Sequence, residues 1–300
     1  MKSKEWLEIS VNVDGEAAEA VSALLNQYAY GGAVVEHVVA DGVGAHDDTN
    51  ELRVKAYIQA GQPDLRCKIE EGLWHLSQLY PIPEPTFMTL TEADWANAWK
   101  KHYTVLHVGK RTVIVPRWLS YMPQPGEVGI LLDPGMAFGT GTHPSTSLCL
   151  ELLEDYMAPG MAVFDLGTGS GILSIAAAKQ GARTVLAVDI DDLAVASARE
   201  NVAANGVDDI VQVEKGSLER AREPYHLILV NILADVICSL LGAGLADTLR
   251  PGGIVIASGI IDFREDEVRA AFVEQGFEVV GRRAERDWVA LVARLPEETG

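Results

Sequence analysis

Cysteine is scarce in this chain of 300 residues, occurring only at Cys67, Cys149 and Cys238. The three residues are far apart in the sequence and form no CxxC pair. This pattern argues against a disulfide framework and against a thiolate metal site. We therefore expect a protein of the reducing cytoplasm that holds no metal ion.

Long apolar runs are also missing. The most membrane-like stretch, residues 227–246, contains Asn231 and Asp235, and its pattern divides into a strand and a helix. Residues 1–9 include lysines but lack the apolar segment of a signal peptide. We therefore predict no membrane span and no secretion.

Basic residues are few, since 24 Lys and Arg stand against 43 Asp and Glu and give a net charge of −19. Proteins that bind nucleic acids usually carry a basic patch, so we expect no direct binding of nucleic acid. A chain this acidic attracts a basic partner. The alternative interpretation is that the charge only keeps the protein soluble.

Residues 1–90 predict a small α+β domain in the order βαββαβ, which is typical of a ferredoxin-like module. The predicted elements cover residues 6–11, 17–25, 34–39, 52–58, 63–79 and 86–90. The domain contains no catalytic cluster, so it either has a structural or dimerising role or holds a substrate. A linker helix is predicted over residues 91–104, where Thr91 and Asp94 fit a capping box.

Residues 105–300 form the second predicted domain. From residue 161 onward strands and helices alternate, which predicts an α/β fold with a parallel sheet covered on both faces. The predicted strands cover residues 105–108, 112–115, 161–166, 184–189, 210–214, 225–230 and 254–258, and the helices cover residues 171–180, 191–204, 233–248 and 263–275. Two final strands, near residues 277–283 and 288–294, are expected to form an antiparallel pair.

One strand ends in the sequence Asp-Leu-Gly-Thr-Gly-Ser-Gly, residues 165–171. Glycines allow a sharp turn into the next helix and let a ligand approach the backbone. A dinucleotide fingerprint needs glycine or alanine where Ile172 stands, and no GK[ST] sequence of a P-loop occurs. Asp165 is a poor neighbour for a pyrophosphate but a good one for an ammonium group.

Three further residues follow strands of the same sheet. Asp189, 22 residues after Gly167, can accept hydrogen bonds from a ribose, whereas Asp191 fits better as a helix cap. Ser217 can contact a base, and Asn231 can face the reacting end. A ligand with a ribose, a sulfonium and an amino acid tail satisfies this pattern, so we predict S-adenosylmethionine as the cofactor. The predicted fold is then the Rossmann-like, seven-stranded class I methyltransferase fold.

A loop rich in glycine, threonine and proline covers residues 133–146 and leads into a helix. Its hydroxyl groups either cap that helix or bind a ligand carboxylate. Phe138 can shield the site, and Gly139 and Thr140 are candidates for cofactor binding. His143 is either a proton acceptor or a structural residue before Pro144.

Five segments resemble the bacterial ribosomal protein L11 methyltransferases (protein methyltransferase A), and the resemblance covers nearly the whole chain. They are residues 94–101 (DWANAWKK), 133–146 (DPGMAFGTGTHPST), 165–174 (DLGTGSGILS), 188–191 (VDID) and 231–234 (NILA). The glycine-threonine loop together with NILA is specific to the family, whereas the glycine turn alone is not. Thr168 departs from the cysteine that is common there, and the segment at Gly216 is variable in the family.

The resemblance implies a substrate-recognition domain, a linker helix and a methyltransferase domain, and it places Thr146, Gly167, Asp189 and Asn231 at cofactor-contacting positions. The full candidate cofactor-binding set is Phe138, Gly139, Thr140, Thr146, Asp165, Gly167, Gly169, Asp189, Ser217 and Asn231. The implied reaction methylates amino groups of ribosomal protein L11, on lysine side chains or the N-terminus. Asn231 is expected to position the amine, and no general base is assigned.

Other functions remain open at this point. The chain can methylate another protein or a small molecule, or it can be a non-catalytic module that retains the cofactor fold. A nucleic-acid methyltransferase is disfavoured by the acidity and by the absence of an Asn-Pro-Pro-aromatic run after Val230. We expect a monomer.

Overall fold

The computed structural model describes residues 5–13, 15–29, 33–37, 52–78, 82–91, 104–132 and 143–297. The chain divides into two compact units, Met1–Tyr103 and Thr104–Gly300. Nearly all of the predicted linker helix and residues 133–142 of the glycine-threonine loop lie outside the described residues. No helix of the described residues has the length and apolar character needed to cross a bilayer.

In its described residues, the N-terminal unit contains one four-stranded sheet and two helices. Its elements are β1 (Glu5–Val13), α1 (Gly15–Asn26), β2 (Val34–His37), β3 (Leu52–Gln59), α2 (Pro63–Ser77) and β4 (Thr86–Thr91). The strand order is β2-β3-β1-β4, and all three pairs are antiparallel. Ile9, Val11 and Val13 point to one face of β1, where they form a core with Val21 of α1 and Ile69 of α2.

The C-terminal unit begins with a small sheet in the order β5-β6-β7. The strands are β5 (Leu106–Val108), β6 (Thr112–Pro116) and β7 (Val128–Leu132). Strand β7 was not predicted, because a run of five residues gives too weak a periodic signal. It becomes a strand by pairing in parallel with β6, and its Ile130 and Leu132 are buried.

A seven-stranded sheet forms the centre of the C-terminal unit, in the order β10-β9-β8-β11-β12-β14-β13. Its strands are β8 (Ala162–Leu166), β9 (Thr184–Asp189), β10 (Val211–Lys215), β11 (Tyr225–Asn231), β12 (Leu249–Ile261), β13 (Glu278–Glu285) and β14 (Trp288–Arg294). The first five strands in this order are parallel, whereas β14 lies antiparallel between β12 and β13. The predicted parallel sheet and its antiparallel terminal hairpin are both confirmed.

In the described residues, helix α3 (Pro144–Tyr156) precedes β8, and four helices connect later strands of the sheet: α4 (Ile172–Lys179), α5 (Asp192–Ala204), α6 (Ala234–Gly242) and α7 (Glu265–Glu274). One prediction is wrong here, since a single helix was expected over residues 233–248. Instead α6 ends at Gly242, and Gly244 has φ 94°, a left-handed conformation that breaks the helix. A short 3₁₀ turn, Leu245–Thr248, follows.

Successive residues of the central strands belong to different hydrophobic cores. Val163 and Leu229 pack with α3, α4 and α5, whereas Phe164 and Ile228 pack with α6 and α7. This alternation shows that helices cover both faces of the sheet. The parallel strands therefore end at a common edge, where a ligand can reach the turns that follow them.

Candidate active site

A cavity of about 490 Å³ lies at the carboxyl ends of the parallel strands. Its lining comes from the ends of β8, β9 and β11 and the segments after them, the turn after β10, Gly259 of β12, and the starts of α3 and β14. The lining residues are His143, Ser145, Leu166, Gly167, Gly169, Asp189, Ile190, Gly216, Ser217, Asn231, Ile232, Leu233, Val236, Leu240, Gly259 and Trp288.

The glycine turn after β8 forms the floor of this cavity. Gly167 and Gly169 have φ values of 75° and 55°, in the left-handed region that side chains disfavour. A Cβ atom on Gly167 would lie 2.6 Å from Cγ2 of Ile232. Any side chain at position 167 would therefore collide with Ile232, so glycine is required here, and the backbone of the turn lines the cavity.

Asp165 lies behind the cavity wall and is 1% exposed. Its Oδ2 accepts hydrogen bonds from Oγ1 of Thr168 at 2.7 Å and from Oγ of Ser174 at 2.6 Å. Burial raises the pKa of this carboxyl to about 6, against the opposing effect of the two hydroxyl donors, and the charge of Asp189 raises it further. Asp165 is not among the described residues that line the cavity. The bonds of its Oδ2 hold the turn together, and its Oδ1 is buried without a hydrogen-bond partner among the described residues.

Asp189 lies in the cavity wall and connects two turns. Its Oδ2 accepts from the backbone N–H of Gly169 at 2.9 Å, and its Oδ1 accepts from the N–H of Asp191 at 3.0 Å. Asp191 caps α5 by accepting from the N–H of Leu193 at 3.0 Å, as predicted. Each carboxylate oxygen of Asp189 has lone pairs left, so the group can also accept hydrogen bonds from a ligand.

Asn231 ends β11 and faces the cavity from the opposite side. Its Nδ2 donates to Oγ1 of Thr146 at 3.2 Å. Its Oδ1 is buried and has no hydrogen-bond partner among the described residues. A buried amide oxygen without a partner is costly, so this atom is a ready acceptor for a ligand N–H group. Thr146 is fully buried and supports Asn231 from behind the cavity wall.

The start of α3 brings a histidine and a tryptophan together at the cavity. His143 is the N-cap of α3, and its Nδ1 accepts from the N–H of Ser145 at 3.3 Å. The ring meets Trp288 edge to face, with centroids 4.6 Å apart. Burial lowers the pKa of His143, so the neutral ring that can accept this bond is favoured. The His143 side chain thus caps the helix, which was one of the two roles proposed for the hydroxyl groups of this loop.

The predicted residues divide into three groups. Gly167, Gly169, Asp189, Ser217 and Asn231 line the cavity, and Thr146 and Asp165 lie behind it. Phe138, Gly139 and Thr140 lie outside the described residues.

Sequence reasoning missed the apolar walls, which are formed by Ile190, Ile232, Leu233, Val236, Leu240 and Trp288. Ile190 and Leu233 are 74% and 68% exposed. Ile190 directly follows Asp189, and Leu233 closely follows Asn231. These positions could have indicated in the sequence that the two side chains line the cavity. Trp288 gave no such signal, because it reaches the cavity only through the antiparallel pairing of β14 with β12.

These residues fit S-adenosylmethionine. The open backbone at Gly167, the carboxylate of Asp189 and the apolar side chain of Ile190 suit a nucleoside with a short charged tail. The unpartnered Oδ1 of Asn231 suits a group with an N–H to donate. Among the described residues, no group of three His, Cys, Asp or Glu side chains could hold a metal ion.

Comparison with known proteins agrees with this geometry. The family model of the ribosomal protein L11 methyltransferases (PrmA) matches residues 5–296. A ribosomal protein L11 methyltransferase from Chloroflexus aurantiacus is 47% identical, covering 99% of this chain and 100% of the relative. One from Herpetosiphon aurantiacus is 43% identical, covering 97% of this chain and 99% of the relative.

A solved structure, that of ribosomal protein L11 methylase from Lactobacillus delbrueckii subsp. bulgaricus, superposes with a TM-score of 0.61 at 37% identity. The superposition covers 65% of this chain and 100% of the solved chain. The resemblance seen in the sequence is thereby confirmed, and with it the class I fold and the methyl donor. The chain belongs to the ribosomal protein L11 methyltransferase family, whose members are S-adenosylmethionine-dependent methyltransferases.

Proposed function

We propose that this enzyme methylates amino groups of ribosomal protein L11, on lysine side chains or at the N-terminus. The observation that carries the proposal is that Asn231 lines the cavity and that its buried Oδ1 has no hydrogen-bond partner among the described residues. An amine that enters the cavity can donate one N–H to this atom. The relatives from Chloroflexus aurantiacus and Herpetosiphon aurantiacus are named for their action on ribosomal protein L11, which supports this identity of the protein substrate.

Asn231 is held in the orientation that this role requires. Because its Nδ2 donates to Oγ1 of Thr146, the amide oxygen is the atom left to face the ligand. The amide oxygen of Asn231 can only accept a hydrogen bond, so it binds an N–H group of the amine. The lone pair of the amine nitrogen then points away from Asn231. The side chain thus acts by positioning, which is a large part of catalysis when the leaving group is good.

The proposed cofactor contacts lie on the opposite side of the cavity. Gly167 and Gly169 present backbone at the floor, Asp189 accepts from the ribose, and Ser217 lies near the base. When bound, S-adenosylmethionine supplies a methyl group on a positively charged sulfur, which a neutral amine can accept. Asp165 supports this side indirectly by fixing the glycine turn through Thr168 and Ser174.

The acceptor amine must be neutral when it reacts. A lysine amine has a pKa of about 10.4 in water. The apolar walls at Leu233, Val236 and Trp288 remove solvent from an amine beside Asn231 and so lower its pKa. A positive neighbour on the cofactor acts in the same direction, so we assign no general base.

The remaining parts of the proposal concern the whole protein. The N-terminal unit recognises the substrate, residues 91–104 link it to the methyltransferase unit, and the enzyme acts as a cytoplasmic monomer without direct nucleic-acid contacts. The net charge of −19 supports a cationic protein substrate, because long-range attraction speeds its encounter with the enzyme.

The test is methyl transfer from radiolabelled S-adenosylmethionine to purified ribosomal protein L11, followed by mass-spectrometric mapping of the modified amines. Wild-type enzyme and Gln212→Ala, which removes an exposed amide outside the cavity, should label L11 equally. Asn231→Ala should label it much more slowly. Label in ribosomal RNA, no label in L11, or a wild-type rate for Asn231→Ala would contradict the proposal.

A further inference from the structure

Exposed apolar side chains are concentrated at one edge of the C-terminal unit. Among its described residues, the large apolar side chains that remain exposed are Met122, Ile190, Leu193, Leu233, Val236, Phe263 and Val273. Five of these seven, all but Met122 and Val273, follow the carboxyl ends of β9, β11 or β12. Such clustering marks an interaction surface, whereas scattered exposed apolar residues need no explanation.

Three of the five lie on the Asn231 side of the cavity. Leu233, Val236 and Phe263 are 68%, 44% and 77% exposed. Leu233 and Val236 also line the cavity, so the apolar surface continues from its wall to the outside. We call these three residues, with Asp235 and Glu267, the α6 bank.

Hydrogen bonds fix the position of Phe263 in the α6 bank. Nη2 of Arg264, the next residue, donates to Oδ1 of Asp235 at 2.5 Å, and its Nε donates to Oε2 of Glu267 at 2.6 Å. On the other side, the N–H of Asp262 donates to the carbonyl oxygen of Asp287 at 2.9 Å. The turn that carries Phe263 is therefore tied to α6 and to the β13–β14 turn, and its aromatic ring is exposed on a well-held backbone.

The α6 bank and its surroundings are acidic. Four of the six residues 262–267 are Asp or Glu, and Asp235 adds another carboxylate that is 78% exposed. Arg264 pairs with Asp235 and Glu267, and Arg269 and Arg282 pair with Glu265, so these five carboxylates and three guanidinium groups leave a net charge of −2. The surface thus combines apolar side chains with negative charge, and through Leu233 and Val236 it continues into the cavity that Asn231 lines.

We propose that the α6 bank docks the segment of the substrate protein that carries the acceptor amine, and that this segment is cationic and partly apolar. This inference rests on the proposed function. A second copy of this chain is a poor occupant, because its charge of −19 repels the same surface. An RNA strand is repelled for the same reason. A lysine-bearing segment gains from both the charge and the apolar contacts, and its amine then enters along Leu233 and Val236.

Two variants of the α6 bank have matched controls. Asp235→Lys reverses a charge in the first turn of α6, and Asp192→Lys makes the same change in the first turn of α5, where Asp192 is 79% exposed and pairs with Lys215. Phe263→Ser removes an exposed apolar side chain from the bank. Val273→Ser removes one that is 61% exposed on α7, outside it.

The measurements are the Kd for purified ribosomal protein L11, the KM and kcat for its methylation, and the Kd for S-adenosylhomocysteine. Asp235→Lys and Phe263→Ser should each raise the Kd and KM for L11 by about tenfold, while kcat and cofactor affinity change by less than about twofold. The effect of Asp235→Lys should shrink as salt is added. Unchanged cofactor affinity shows that each variant is folded.

The outcomes separate the two proposals. If wild-type enzyme methylates L11 and both bank variants behave like their controls, the docking surface is wrong and the proposed function stands. If wild-type enzyme neither binds nor methylates L11, the proposed substrate is wrong, and the docking surface falls with it.

Discussion

The polar side chains that line the two sides of the cavity differ in how far the protein itself satisfies them. At the end of β9, both carboxylate oxygens of Asp189 accept backbone hydrogen bonds, from Gly169 and Asp191, whereas Oδ1 of Asp165, which has no partner in the described part of the chain, lies behind the cavity wall. At the end of β11, Asn231 keeps one buried oxygen without a partner among the described residues. The exposed apolar residues of the α6 bank extend that second side.

This difference assigns a task to each side. A cofactor of constant structure can bind to a preformed turn, whose hydrogen bonds exist before the ligand arrives. A reacting amine can instead be positioned by an acceptor that has no protein partner, because the hydrogen bond between them then forms only when the amine binds. Substitutions on the first side should therefore change cofactor affinity or stability. On the second side, substitution of Asn231 should change turnover, and substitutions in the α6 bank should change the KM for the substrate.

The strongest challenge to this comparison is Asn231→Ala. We expect kcat to fall by about 100-fold, equivalent to about 3 kcal/mol, because the acceptor that orients the amine is lost. The affinity for S-adenosylhomocysteine, measured by titration calorimetry, should change by less than about threefold. A loss in affinity as large as the loss in kcat would place Asn231 on the cofactor side instead.

The role of Asp165 on the cofactor side can be tested by measuring how the free energy of unfolding depends on pH. Its pKa is about 6 in the folded state against an ordinary value of 3.8, so its contribution to the free energy of unfolding is full below about pH 4 and is lost as pH rises through 6. Relative to the Asp165→Asn variant, the wild-type protein should lose about 3 kcal/mol of its free energy of unfolding over this pH range. Urea unfolding at several pH values measures the difference.

Thr168→Val sharpens the same experiment. It removes one of the two hydroxyl donors that oppose the effect of burial, so the pKa of Asp165 should rise and the stability loss should extend to higher pH. If the unfolding free energies of the wild-type protein and of Asp165→Asn differ by the same amount at every pH, the carboxyl group of Asp165 does not titrate in this range.

Asp189→Ala has the next largest expected effect, on cofactor affinity. Loss of the carboxylate removes its proposed bonds to the ribose and its bond to Gly169, so we expect about 30-fold weaker binding of S-adenosylhomocysteine, or about 2 kcal/mol. Asp191→Ala is the control, because it removes only the cap of α5. That control should lower stability by about 1 kcal/mol and leave the affinity unchanged. Equal affinity losses in both would mean that the turn, rather than the carboxylate, binds the cofactor.

Thr146→Val should have the smallest effect of the series. It removes the oxygen that accepts from Nδ2 of Asn231, so the amide is less well oriented and kcat should fall about fivefold, or about 1 kcal/mol. Thr146→Ser keeps the oxygen and should retain the wild-type rate. If both variants are equally slow, the methyl group of Thr146 matters and its hydrogen bond does not.

Local patterns were enough to predict the elements at this site. The cap at Asp191, the glycine turn and the terminal hairpin each depend on residues close together in the chain, and all three were predicted. Strand β7 and the break at Gly244 were missed, because a short apolar run and a glycine near a helix end are ambiguous signals.

Side-chain direction and long-range contacts could not be predicted. The sequence places Asp165 at a strand end, but nothing in it shows that the carboxylate faces Ser174, nine residues later, instead of the ligand. Trp288 reaches the cavity only because β14 pairs with β12. The contact between Asn231 and Thr146 likewise joins residues 85 positions apart, so a single sequence does not reveal it.

The most direct test is a crystal structure of the enzyme with S-adenosylhomocysteine and the amino acid lysine. The ribose hydroxyls should lie within hydrogen-bond distance of the Asp189 carboxylate, and the lysine amine should lie within hydrogen-bond distance of Oδ1 of Asn231. Such a result would confirm that the two sides of the cavity divide the work between cofactor and substrate. A cofactor bound away from Asp189, or an amine held by other groups while Asn231 Oδ1 stays unpartnered, would contradict it.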